Sequence, residues 1–190
     1  EINQRAAASV ALTTAGSSWL ADRWQARSLS APSGTLTGSQ QSVSVSPSAG
    51  DPRFFARLAR TAGTYAGSLV MEQVLERNDM FDLAGVTVAL SCKLRKGLAF
   101  SGTGVRLIVC TGSGIDEGSN SLAVGGWTGG VQLNVASTVA AASISNIFFS
   151  TFSGAILLPS GVSCSELAVR IEVQGFTGAG AANDYMDIAD

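Results

Sequence analysis

Glu72 and Glu76 are the paired carboxylates that could act as general acid and base in a hydrolysis. They fall four residues apart in Leu69–Glu76. At roughly 3.3 Å per residue in a strand they stand about 13 Å apart, beyond the roughly 5 to 9.5 Å that glycosidase pairs use. A solvated strand face is the plainer reading of them. The chain contains no histidine, which removes Ser-His-Asp and Cys-His catalysis, imidazole metal ligands and imidazole proton transfer together. No G-x-S-x-G, G-x-G-x-x-G or P-loop pattern is present. A protein without catalytic activity is expected.

The residue types that remain suit binding. Trp127 stands between Gly125-Gly126 and Gly129-Gly130, flanks that belong to a loop tip, and an indole face stacks on the C–H face of a sugar ring. Its alternatives are a ring folded back over the core edge or a subunit contact. Glu72, Lys93, Arg95, Arg170 and Glu172 are the polar groups of the outward sheet face, able to hold hydroxyls through charge-assisted hydrogen bonds if that face binds a ligand.

Strands must position these groups. Asp82 to Arg95 alternates strictly after Ala84-Gly85, with Val86, Val88, Leu90, Cys92 and Leu94 on one side and Thr87, Ala89, Ser91, Lys93 and Arg95 on the other. Leu167 to Gln174 repeats the pattern: Leu167, Val169, Ile171 and Val173 against Ala168, Arg170, Glu172 and Gln174. Each reads as an antiparallel strand with one apolar and one solvated face. Two such strands so far apart in sequence need long-range pairing, hence a sandwich or barrel.

Leu69–Glu76 has helix-forming residues, but its turn-rich flanks favour a strand. Arg53–Thr61 alternates without showing which side is buried. Val105–Cys110, Val131–Ala142, Asn146–Phe152 and Ala155–Leu158 supply further strands, for a total of about ten. Ala6–Ser18 reads as a surface connection.

Charged residues make up 14% of the 190, with 22 glycines, which fits one all-β domain over 1–190 with little helix. The net charge of −2 and the lack of a basic run exclude a nucleic-acid partner. Gly118–Ser165 holds no Asp, Glu, Lys or Arg, yet polar residues interrupt it too often for a membrane helix, so no membrane insertion is expected. Cys92, Cys110 and Cys164 match no zinc spacing and read as buried thiols. No secretory signal is legible at Glu1.

A series of phrases in shared order resembles the jelly-roll, carbohydrate-binding-module-like domains of bacteriophage tail fibres, spikes and phage-like particle fibres. They are Glu1-Ile2-Asn3-Gln4-Arg5, Ala21-Asp22-Arg23-Trp24, Gln73-Val74-Leu75-Glu76, Asp82-Leu83-Ala84-Gly85-Val86-Thr87-Val88, Leu167 to Val173 and the closing Asp184 to Asp190.

The resemblance implies an all-β jelly-roll β-sandwich of two antiparallel sheets. It also implies a non-catalytic host-recognition domain on the exterior of a virion, in a tail or head fibre, that binds host cell-surface polysaccharide. Its partners would be other fibre, baseplate or head proteins, and a homotrimer is the usual fibre assembly. The alternative is a structural or oligomerisation module that holds no sugar. On the glycan reading the ligand-binding residues are Trp127, Glu72, Arg95 and Arg170. The resemblance further implies a structural calcium joining the first and last strands through Glu1 and Asp187, with Asp51 or a backbone carbonyl near it able to complete the oxygen shell. The competing reading leaves these acids solvated or pairs them with Arg5, Arg53 or Arg57.

Overall fold

The computed structural model describes residues 9–14, 18–21, 23–31, 34–42, 52–75, 83–115, 117–118 and 126–189. Thirteen strands form among them: β1 Val10–Ala11, β2 Ser18–Ala21, β3 Trp24–Ser28, β4 Thr35–Ser42, β5 Phe54–Ala62, β6 Gly67–Leu75, β7 Thr87–Lys96, β8 Gly104–Gly112, β9 Val131–Asn134, β10 Val139–Ala140, β11 Ser150–Leu157, β12 Glu166–Phe176 and β13 Tyr185–Ala189. A front sheet of six strands runs in the order β1-β4-β5-β13-β7-β11, and a back sheet of seven runs β10-β8-β12-β6-β3-β2 with β9 beside β8. All the pairings are antiparallel. The fold is the expected jelly-roll β-sandwich, with thirteen strands among the described residues where the alternation marks out about ten.

The core lies where the two apolar rows meet. Cys92 and Leu94 of β7 are buried with Leu167, Ile171 and Val173 of β12, and Met71, Leu107, Val109, Met186 and Ile188 close the layer between the sheets. β6 is a strand, as its flanking turns predict. In β12 the chain departs from the expected solvated face: Ala168 is 0% exposed, Arg170 2% and Glu172 4%. β12 lies in the middle of the back sheet, between β6 and β8. Its outer row therefore meets the side chains of two neighbours and pairs with them.

Two glycines have positional roles. Gly175 takes φ +67 at the register shift between Val173 and Phe176, where a side chain would strike Thr103, so the bulge needs glycine. Gly154 does not break the chain into two strands as its neighbours suggest. It lies inside β11, and a Cβ there would stand 2.8 Å from that of Ala136. The supposed surface connection Ala6–Ser18 likewise contributes β1 and the buried Leu12.

A fully buried ion pair ties the end of the chain to the front sheet. Arg60 of β5, 0% exposed, places Nη2 2.8 Å from Asp184 Oδ2. It also donates to the carbonyls of Gly178 at 2.7 Å, Thr177 at 3.1 Å and Tyr65 at 3.2 Å. Ser101 donates its backbone N–H and its hydroxyl to Asp184. One guanidinium thus fixes the loop before β13, and Asp184→Asn leaves it buried beside a neutral partner. The expected loss is on the order of 3–5 kcal/mol in a denaturant titration; a loss below ~1 kcal/mol would show that the pair does not hold this end of the fold.

Burial pushes the Cys92 thiol up to about 12 and raises those of Cys110 and Cys164, so all three stay protonated at neutral pH. The native protein is expected to resist a bulky thiol reagent at pH 8 and to titrate three thiols once unfolded in guanidinium. Rapid labelling of native Cys92 would place the inner row of β7 in solvent.

Candidate functional site

The front sheet carries the site on its outer face. β13 enters between β5 and β7 with Asp187 level with Arg57 on one side and Arg95 on the other. Met186 and Ile188 turn into the core, so alternation sends Tyr185 and Asp187 outward. Arg57 donates from Nε to Asp187 Oδ1 at 2.7 Å and from Nη2 to Oδ2 at 3.0 Å. Arg95 donates from Nε at 3.1 Å and from Nη2 at 2.8 Å, both to Oδ2. Asp187 is 0% exposed, whereas Arg57 and Arg95 are 26% and 23% exposed.

Aromatic rings brace both guanidiniums. Arg57 lies 3.6 Å from the Tyr185 ring centroid, and Arg95 lies 4.6 Å from that of Phe149 and 5.1 Å from that of Phe55. The Phe55 and Phe149 rings meet edge to face at 5.4 Å. Burial alone would lower the Arg57 pKa, but the hydrogen bonds and charge of Asp187 outweigh it and raise the value. Beside this clamp a cleft of about 410 Å³ is lined by Thr37, Ser39, Gln41, Arg57, Asn183 and Tyr185 among others. Asn183 takes φ +66, a conformation that Asn tolerates. The turn it makes, closed by the Asp184 N–H on the Ala181 carbonyl at 3.2 Å, brings Asp184 to Arg60 and starts β13.

The residues read as sugar ligands do not form one site. Arg95 joins Asp187 on the front sheet, while Glu72 and Arg170 pair on the back sheet at 3.1 Å. Glu72 is 0% exposed and also accepts from Arg27 at 2.8 Å. Glu72 and Arg170 are therefore interior ion-pair partners, not groups of a solvated face, and Glu172 is engaged by Arg106 at 2.8 Å. Lys93, by contrast, belongs to the front sheet. Glu76, the other half of the carboxylate pair, lies outside the described residues.

Trp127 is 4% exposed and packs on the back sheet with Ile108, Cys110 and Ala168. A Cβ on Gly112 would stand 2.9 Å from that of Trp127, so the glycine in β8 makes room for the indole. Its Nε1 donates to the Gly118 carbonyl at 3.2 Å. The glycine-flanked loop tip exists, with Gly126 at φ +83 and Gly129 at φ +62, but it folds the ring inward and leaves no face open for stacking.

The residues do not fit the implied calcium. Both Asp187 oxygens accept hydrogen bonds from guanidiniums, whose positive charge opposes a cation there. Glu1 and Asp51 lie outside the described residues, among which no group of three or more His, Cys, Asp or Glu side chains could hold a metal. The pairing of Asp187 with Arg57 is the competing reading of the sequence.

Sequence reasoning named Arg57 only as a partner for the acids, not as a ligand-facing group, and missed Tyr185 and Asn183. The signal for Arg57 was present in Arg53–Thr61, where alternation left open which side turned inward. Tyr185 was hidden because the closing phrase reads as a core strand.

No family model matches the chain, and no curated protein matches it. Solved structures do. One of the carbohydrate-binding modules from the β-sandwich superfamily superposes with a TM-score of 0.55 at 6% identity, over 88% of this chain and 55% of that one. The chain thus spans about half the length of that protein. The CBM22-2 xylan-binding domain from Paenibacillus barcinonensis Xyn10C gives 0.51 at 10% identity over 88% of each chain. The N-terminal CBM22-1–CBM22-2 tandem of the same protein gives 0.51 at 9% identity, over 95% of this chain and 43% of that one. These likenesses establish the fold, that of the carbohydrate-binding-module sandwiches.

On the back sheet, Glu117 holds the Trp127 loop. Its carboxylate accepts from the Thr128 backbone N–H at 2.8 Å and the Thr128 hydroxyl at 3.1 Å, and its own N–H donates to Glu166. The Thr128 N–H bond is the main reason the Glu117 pKa is lowered from the ordinary 4.5. A carboxylate lowered in the folded state contributes fully above 4.5 and loses its contribution as the pH falls through its lower folded value. Indole emission is therefore expected to shift red as the pH falls below 4.5. Trp127→Phe should abolish that shift, and the same shift in both proteins would show that the loop is not held through Glu117.

Proposed function

We propose that the chain is a non-catalytic carbohydrate-binding domain whose sugar site is the cleft beside Tyr185 on the front sheet. The observation that carries this reading is the cleft's chemistry. Hydroxyls of Thr37 and Ser39, the amide of Gln41, the partly exposed guanidinium of Arg57 and the aromatic ring of Tyr185 line a groove of about 410 Å³ on the sheet face. Such groups hydrogen-bond sugar hydroxyls and pack against a pyranose ring. Arg57 covers one face of Tyr185 and also hydrogen-bonds its side chain, which leaves the other face of the ring for the ligand. The likeness in fold to carbohydrate-binding modules, one of them a xylan-binding domain, supports the same reading.

The domain serves as a host-recognition fibre domain on the exterior of a phage or phage-like particle and contacts cell-surface polysaccharide. The ordered phrases from Glu1-Ile2-Asn3-Gln4-Arg5 to the closing Asp184–Asp190 support that setting. A second reading, an oligomerisation module without sugar, has its own observation. Leu98, Ile147 and Phe148 are 80%, 80% and 60% exposed, and the Lys96 N–H bond to the Ser145 carbonyl brings their two segments side by side. β11, at the edge of the front sheet, carries no charge that would discourage pairing with a second copy.

A polysaccharide array read with wild type, Tyr185→Ala and Trp127→Ala separates the two. Sugar binding in the cleft predicts a loss of about tenfold or more for Tyr185→Ala, near 1.4 kcal/mol. It predicts unchanged affinity for folded Trp127→Ala. No binding by wild type, together with a trimer by light scattering, favours the second reading. Release of reducing ends from a bound polysaccharide would contradict the non-catalytic assignment.

A further inference from the structure

We propose that the cleft selects acidic polysaccharides, with Arg57 holding the carboxylate of a uronic-acid-type sugar. This rests on the reading of the cleft as the sugar site. Three charged side chains line the cleft among the described residues: Arg57, Arg60 and Asp184. Arg60 and Asp184 are 0% and 1% exposed and neutralise each other at 2.8 Å, so a ligand meets neither charge. Arg57 is 26% exposed and is the one charge that the cleft presents among those residues.

Its counter-ion does not cancel it for a ligand. Asp187 is fully buried and is divided between Arg57 and Arg95, both partly exposed. Two guanidiniums against one carboxylate leave this cluster at 2 − 1 = +1, in a chain whose net charge is −2. The cluster is thus net positive, with Arg57 on its cleft side, and the anion that balances part of it is hidden beneath.

The donor arithmetic agrees. Arg57 spends Nε and Nη2 on Asp187 and also hydrogen-bonds Tyr185, so Asp187 leaves Nη1 unused at the edge of the cleft. Stacking on Tyr185 at 3.6 Å and the two bonds to Asp187 fix the plane of the guanidinium. A carboxylate arriving in that plane gains a charge-assisted hydrogen bond from a donor already held in place. A neutral sugar offers hydroxyls, which gain far less from the same cation. Discrimination by charge is therefore built into the cleft, while Ser39, Gln41 and Thr37 serve any hydroxylated ring.

Affinity electrophoresis and calorimetry of the whole chain test this, using polygalacturonate, alginate, their carboxyl-reduced forms, xylan and poly-L-glutamate. Wild type is expected to bind a uronate polymer at least tenfold more tightly than its carboxyl-reduced form. That preference should shrink at 0.5 M sodium chloride, and poly-L-glutamate should not bind. Arg57→Gln is expected to remove the preference while a weak, salt-insensitive affinity for the reduced polymer remains. Since Arg57→Gln also disturbs Asp187, wild type on the matched polymer pairs decides between the outcomes without a variant. Equal binding to native and reduced polymers overturns the acidic preference and leaves the sugar site standing. Capture of poly-L-glutamate as strong as that of polygalacturonate overturns it in favour of ion exchange, and binding to no polysaccharide overturns both readings.

Discussion

The carboxylate of Asp187, shut away from water between two arginines, is the constraint on which the front sheet depends. β13 is the last strand of the described chain, yet it sits inside the sheet between β5 and β7. Three strands from distant parts of the sequence must agree in register there, and hydrophobic alternation cannot tell one correct register from another two residues away. The aspartate can. A buried charge without its partners costs several kcal/mol, so a register that separates Asp187 from Arg57 and Arg95 is strongly disfavoured. The same pairing aims Arg57 at Tyr185 and Arg95 at Phe149, which is how the sheet acquires an ordered outer face.

Two further sites use this device. Glu72 lies between Arg27 and Arg170 across the middle of the back sheet, and Arg60 and Asp184 close the loop that precedes β13. Charged residues are only 14% of the composition, and many are spent inside the protein as partners across strands. Ser, Thr, Gly and Asn are left to meet the solvent. Buried ion pairs give little net stability relative to apolar replacements, but breaking one is costly, so their effect is to specify how strands align.

The elements were legible where one face alone decided the pattern. The inner rows of β7 and β12 were plain from Val88 to Leu94 and from Leu167 to Val173 because a period of two needs no knowledge of the neighbours. The outer row of β12 was not. Arg170 and Glu172 alternate like residues of a solvated face, and only the neighbouring Glu72 and Arg106 reveal them as interior partners. Trp127 follows the alternative its sequence offered, a ring folded back over the core edge: its glycine flanks do mark a loop, but the landing place is set by Gly112, fifteen residues earlier, where a missing side chain admits the ring. Arg57 was hidden by symmetry, since Arg53–Thr61 carries large and small residues on both sides and the buried side is fixed by β4 and β13. The candidate site lies almost wholly in this second category, because its residues come from strands that only pairing brings together.

That origin bears on what the site can recognise. A loop-borne site can reshape itself around a ligand, whereas Thr37, Ser39, Arg57 and Tyr185 stand on strands whose spacing the ladder fixes. Arg57 loses little further freedom when a ligand arrives, since Asp187 and Tyr185 already hold it. Among the described residues, the back sheet offers no comparable surface at its centre. Val70, Glu72, Ile108 and Ala168 there are 0% exposed, so a ligand could reach them only if the fold opened. The two outer faces therefore divide the work: on the back sheet the buried charges fix the pairing of strands, and on the front sheet the same chemistry leaves its cations at the surface, where they can act on something other than the protein itself.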